Sequence, residues 1–115
     1  MFNFFMPEDN NNYDEILKDI ADGKAQLVDI REANEWASNR FRCAVHAPLS
    51  ELSRGIGVEK LTDIEKQNKK LYLHCLSGSR VQMAQRMLPA LGVKNFQIIP
   101  IGMMEMQRRG FNLVA

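Results

Sequence analysis

Cysteine is scarce in this chain: Cys43 and Cys75 are its only two, in 115 residues. They form no C-x-x-C pair, so the sequence offers neither a zinc site nor a disulfide framework. A reduced, cytoplasmic compartment is the expectation that follows. An excess of one charge is lacking too. With 15 Lys and Arg against 14 Asp and Glu, the net charge is +1. Nothing in that balance points to nucleic acid or an acidic membrane as partner. No apolar run approaches the roughly 20 residues that span a bilayer. Met1 to Pro7 is aromatic but has no basic flank and no long apolar stretch. Glu8 and Asp9 follow at once, so a signal peptide is not expected. Repeats are absent, and the one biased tract is Asn10-Asn11-Asn12. What remains is an ordinary globular composition, 45% hydrophobic and 25% charged, at a length that suits one domain over residues 1–115.

The stretch that carries chemistry is Leu71-Tyr72-Leu73-His74-Cys75-Leu76-Ser77-Gly78-Ser79-Arg80. An apolar, aromatic run after the charged patch Lys66–Lys70 reads as a buried strand. Ser79, then Arg80, Val81, Ala84, Met87 and Leu88, gives the apolar spacing of a helix start. Between them, small residues let backbone N–H groups converge on one point, and the helix adds its positive end. A cysteine at the carboxyl end of a parallel strand stands where open α/β sheets hold ligands. The thiolate is the nucleophilic form of cysteine, and such a site favours an anion. Arg80 is a cation at a helix N-terminus, where cations are disfavoured, so it needs an anionic substrate or a loop carboxylate.

Elsewhere the signals alternate between strand and helix. Phe2–Phe5 suits a short edge strand. Asn12 with Glu15 reads as an N-cap opening a helix along Ile16, Leu17 and Ile20, ended by Gly23. Strands are expected at Gln26–Ile30, Ala44–Ala47, Leu71–His74 and Phe96–Ile99. Helices are expected at Glu32–Ala37, after Ser50, at Leu61–Asn68, at Ser79–Leu91 with Pro89 ending it early, and at Met103–Arg109. This alternation implies a parallel sheet covered on both faces, an α/β/α fold. The methionines Met83, Met87, Met103, Met104 and Met106 are expected to fill the core.

Cys75-Leu76-Ser77-Gly78-Ser79-Arg80 resembles the active-site loop of the rhodanese-like (sulfurtransferase) family, Cys-x-x-Gly-x-Arg/Thr/Ser. Leu27-Val28-Asp29-Ile30-Arg31-Glu32 resembles that family's first internal strand. The segments Ala44–Leu52, Gly102–Glu105 and Gly110-Phe111 resemble further parts of it in the family's order. The resemblance implies five strands in the order 1-5-4-2-3. It also implies that Cys75 takes a sulfane sulfur from thiosulfate, a persulfide or a polysulfide, and passes it to cyanide or a thiol. Leu76, Ser77, Gly78, Ser79 and Arg80 would bind the sulfur, with Asp29 and Arg31 in support. Partners would be a small anionic sulfur donor and a thiol or protein-cysteine acceptor. No metal or organic cofactor is needed, and a monomer or weak dimer is expected. The chain departs from the family at Asn39–Ala44, where Asn39 would replace a glycine in the left-handed region, and at Ile101 and Met106.

Other readings remain beside this one. Cys43 is either a resolving thiol or a small buried hydrophobe. His46 and His74 have no third ligand that would make them a metal pair. Asp29 and Arg31 suit structural pairing, with Glu32 or a neighbour as the arginine's partner. A sulfur carrier or binding module without turnover is one alternative function. A cysteine phosphatase or arsenate reductase is another, but its His-Cys-x5-Arg signature needs one residue more than lies between Cys75 and Arg80.

Overall fold

The apolar runs are continuous because their strands are buried on both faces. The computed structural model describes residues 8–115. Its elements in order are α1 (Tyr13–Ala21), β1 (Ala25–Asp29), α2 (Ala33–Ser38), β2 (Arg40–Phe41), β3 (Ala44–His46), α3 (Leu49–Leu52) and α4 (Val58–Glu65). Then come β4 (Lys70–His74), α5 (Arg80–Met87), a 3₁₀ turn (Leu88–Leu91), β5 (Phe96–Ile98), α6 (Met103–Arg108) and β6 (Leu113–Val114). Four strands form a parallel sheet in the order β3-β1-β4-β5. Phe2–Phe5, expected as a first strand, lies outside the described residues.

Strand alternation divides the core into two clusters. Val28, Ile30, Leu71, Leu73 and Cys75 pack on one side with Leu49, Leu52, Leu61, Val81, Ala84 and Leu88 from the helices. Ala25, Leu27 and Tyr72 pack on the other with Tyr13, Ile16, Phe41, Met103, Met106 and Phe111. Burying such side chains stabilises by about 1.5–3 kcal/mol each, before chain entropy is subtracted. Among the described residues, no helix is long and apolar enough to cross a membrane.

Local chemistry explains where the expected boundaries moved. Asn12 caps α1 as its spacing predicts, its side chain accepting from the Glu15 N–H at 3.1 Å. Helix α4 starts at Val58 rather than Leu61, since Gly57 turns the chain at φ +88. It ends at Glu65, and Asn68 takes φ +62 in the turn beyond it. Helix α5 stops at Met87, and Pro89 carries the chain on as a 3₁₀ turn. Ser50 is inside α3, which Pro48 precedes, and its Oγ donates to Glu32 at 2.5 Å. Asn39 is extended, at φ −164, and not left-handed. Met103 and Met106 are core residues, but Met83 and Met104 are exposed. Each stands next to inward-facing residues on a helix with one buried stripe, and so points away from it. The antiparallel ribbon of β2 and β6 is an element the sequence did not announce, because two-residue strands carry no period.

Candidate active site

Strand β4 ends at His74, which pairs in register with Asp29 of the central neighbour β1. The next residue, Cys75, is therefore held at the carboxyl end of the sheet, and it is fully buried. Its Sγ accepts a hydrogen bond from the Gly78 N–H at 3.2 Å. Among the described residues, the N–H groups of Leu76, Ser77 and Ser79 have no intramolecular acceptor. Leu76, Ser77 and Ser79 are exposed, Gly78 is buried and Arg80 is half-buried.

Two glycines set the loop against the rest of the protein. Gly78 has φ +92, and a Cβ there would lie 2.0 Å from the Pro100 carbonyl oxygen. Only glycine combines that conformation with that approach. Gly102 lies beneath the loop, where a Cβ would be 3.0 Å from the Leu76 carbonyl oxygen. That close approach lets the Met103 N–H, at the start of α6, donate to the same carbonyl at 3.0 Å. Ser79 precedes α5 without capping it through its side chain.

Arg80 finds a carboxylate rather than open solvent. Its Nη1 and Nη2 donate to the two Glu35 oxygens at 2.6 and 2.9 Å. This bidentate geometry is the strong form of a guanidinium–carboxylate pair. The Arg80 contact holds the Glu35 carboxyl down at about 2 from its ordinary 4.5. The pair is thus charged throughout the neutral range and dissolves only in strong acid. Glu35 in turn accepts the Glu32 N–H at 3.0 Å, as part of the box that opens α2. Glu35 is a site residue that sequence reasoning missed. Its one signal was the Glu32-x-x-Glu35 capping pattern.

At the carboxyl ends of β1 and β4 lies a second set of polar groups. Arg31 is paired with Asp29, its Nη2 donating to Oδ2 at 2.8 Å and its Nε to Oδ1 at 3.1 Å. Nη2 also donates to the Asn39 carbonyl at 2.6 Å, which explains the extended backbone at that residue. Asp29 and Arg31 are buried, so each needs the other. Of the partners expected for Arg31, Glu32 or a neighbour, it is the neighbour Asp29 that holds the guanidinium.

His74 is buried between this pair and Phe41, whose ring meets it edge-on at 5.1 Å. Its Nε2 lies 3.6 Å from Asp29 Oδ2, too far for a hydrogen bond, and has no other partner among the described residues. Burial pushes the imidazole down to about 4 from 6.5, although Asp29 opposes it. It is therefore neutral at neutral pH, and its closeness to Asp29 is not an ion pair.

The unfolded chain takes up a proton on His74 near pH 6.5, the folded one only near 4. Stability is fully present above that window and falls as pH drops through it, by on the order of 3 kcal/mol for this group. Urea unfolding at pH 7 and pH 4.5 should show a smaller loss in His74→Gln than in the parent. Equal losses would contradict a neutral buried imidazole.

The remaining candidates stand apart. His46 directs Nε2 to the Arg31 carbonyl at 2.7 Å and stacks on Trp36 at 4.7 Å. Cys43 is half-buried and packs against the Tyr13–Phe111 cluster, across the sheet from the cluster holding Cys75. Burial pushes its thiol up.

What this geometry offers chemically is a cysteine sulfur already accepting one backbone N–H, with further N–H groups close in the chain. Comparisons with known proteins show the family to which this fold belongs. Residues 12–109 match the family model described as Rhodanese-like domain. An uncharacterised 16.5 kDa protein of Synechococcus elongatus is 40% identical over 65 residues, 54% of this chain and 43% of the relative. YrkF of Bacillus subtilis, named as a proposed sulfur carrier protein, is 31% identical over 81 residues, 70% of this chain and 40% of the relative. The chain thus spans about two fifths of the length of these relatives. A human single-domain sulfurtransferase has the same fold, with TM-score 0.65 at 22% identity, over 83% of this chain and 91% of the human one. Matched over most of its length, with Cys75 at the carboxyl end of its central parallel strands, the chain belongs to the Rhodanese-like domain family.

Proposed function

We propose that the protein is a sulfurtransferase that carries a sulfane sulfur as a persulfide on Cys75. The observation that carries this reading is the Gly78 N–H on Cys75 Sγ, in a loop held by Pro100 and by the start of α6. The Cys75 thiolate attacks the outer sulfur of the donor. The donor S–S bond breaks and its electron pair leaves with sulfite or a thiolate, while a new S–S bond forms on Cys75. The terminal sulfur then carries the negative charge. The free N–H groups of Leu76, Ser77 and Ser79 lie next to it in the chain, where prearranged donors stabilise an anion without reorganising. A thiol or cyanide attacks that sulfur and restores the Cys75 thiolate. Asp29 and Arg31 support the site from below by fixing β1 and Asn39.

The name of the Bacillus subtilis relative favours a second reading, a carrier that loads but turns over slowly. Initial rates with varied donor and acceptor separate the two. A turning-over enzyme gives the parallel reciprocal plots of ping-pong kinetics. A carrier gives one loading event and negligible steady-state rate. Failure of Cys75 to load from either thiosulfate or a persulfide would overturn both.

Arg80 acts in this proposal as a positioning residue, since Glu35 occupies its guanidinium. Arg80→Ala and Glu35→Gln should each lower loading by about tenfold, for charged and uncharged donors alike. The double variant should be little worse than either single one. A loss confined to thiosulfate would show instead that Arg80 grips the donor. Cys43→Ala should retain sulfur transfer at a stability cost of about 1–2 kcal/mol, and a Cys43–Cys75 disulfide formed during turnover would contradict that.

A further inference from the structure

Beside the Cys75 loop lies a groove of about 450 Å³. Leu76, Met103, Met104 and Leu113 make its apolar wall, with the amides of Asn39 and Gln107. Among the described residues, no ionisable side chain lines it. Leu76 is 52% exposed and Met104 71%, so apolar surface stands bare beside the residue that would carry the sulfur. Of the arginines close in the chain or the site, Arg80 pairs with Glu35 and Arg31 with Asp29, while Arg40, next to Asn39, lies over the Trp36 ring and donates to the Trp36 carbonyl.

We infer that this groove selects a low-molecular-weight persulfide with an uncharged apolar tail over thiosulfate. The inference rests on the sulfurtransferase reading and names its donor class. A dianion entering the groove would lose water and find no cation in the lining, and such desolvation is unfavourable. An alkyl chain would instead cover the exposed Leu76 and Met104, and each methylene removed from water adds to binding. Thioether sulfurs are polarizable and adapt to soft, irregular ligands, which suits a sulfur chain. The volume also exceeds what a small inorganic ion fills, and falls within the usual range of pockets for organic ligands. In the transfer, Cys75–S⁻ attacks the outer sulfur of R–S–SH, giving Cys75–S–SH and R–S⁻. The atoms and charge balance without any further oxidant or reductant.

The test uses methyl, propyl and pentyl persulfides and thiosulfate as donors to the full chain. Sulfur loading on Cys75 is followed by rapid quenching and mass spectrometry. Each rate is divided by that of a free small thiol with the same donor, which removes intrinsic reactivity. The normalised kcat/KM should rise by roughly threefold per methylene. Pentyl persulfide should exceed thiosulfate by on the order of 100-fold. Met104→Lys, a change at an exposed position, should flatten the chain-length dependence and raise the thiosulfate value by about tenfold. A flat dependence in the parent protein, or thiosulfate matching the pentyl donor, would overturn the inference while leaving sulfur transfer intact. Loading by none of the donors would overturn the sulfurtransferase reading itself, a distinguishable result.

Discussion

Cys75→Ser should abolish sulfur transfer while the protein still folds. A hydroxyl cannot form the S–S bond on which the intermediate depends, so activity should fall to background rather than by a graded factor. The volume change is small, and the Gly78 N–H that donates to Sγ is placed to donate to a hydroxyl. Cys75 is fully buried in the Val28–Leu73 cluster, however, so the polar replacement should cost about 1–3 kcal/mol. Circular dichroism and a thermal melt establish that the variant is folded, and a cyanolysis assay with thiosulfate or a persulfide establishes that it is inactive. Retained turnover in the folded variant would remove Cys75 from the chemistry.

The second large effect is expected at Gly78. A methyl group there would meet the Pro100 carbonyl oxygen at 2.0 Å, and φ of +92 is strained for any residue with a Cβ. The clash is with backbone, so no side chain can swing aside. Gly78→Ala must therefore push the loop off Pro100, and the N–H that faces Cys75 Sγ moves with it. Loading of Cys75 should drop by roughly 100-fold or more, comparable to the loss of a prearranged anion donor. Stability should fall by about 1–3 kcal/mol, chiefly from the strained conformation. Gly23, which has φ +76 and, among the described residues, no atom within 4 Å of where a Cβ would stand, supplies the control. Gly23→Ala should cost stability from backbone strain alone and leave the loading rate unchanged. Equal loading by Gly78→Ala and the parent protein would mean that loop geometry does not create the site.

These expectations rest on a part of the chain that was unusually legible. Leu71–Arg80 combines a change of period from strand to helix, small residues at the turn, and a cysteine at the junction. All three signals are local, and the structure places Cys75 at the end of β4 with α5 following. The four described parallel strands were legible for the same reason, since burial on both faces leaves continuous apolar runs. What could not be read is non-local. Glu35 meets Arg80 across 45 positions of sequence, and no spacing rule links a helix carboxylate to a loop guanidinium that far away. The cation at the helix start did call for a carboxylate or an anion, but not for which one. Asn39 was expected to turn left-handed as a glycine would, yet the Arg31 guanidinium holds its carbonyl in extended backbone. Met104 was expected in the core because methionine usually fills gaps there. One position along from the buried Met103, it faces outward and becomes part of the groove wall.

If Cys75 carries the transferred sulfur, the sulfur must be found on that residue. The most direct measurement incubates the protein with a persulfide or thiosulfate, removes the donor, blocks free thiols and maps the product by peptide mass spectrometry. The expected result is the mass of one added sulfur atom on the peptide containing Cys75, none on the peptide containing Cys43, and loss of that sulfur when cyanide or a thiol is supplied. An unmodified Cys75 peptide, or the added sulfur on Cys43 alone, would contradict it.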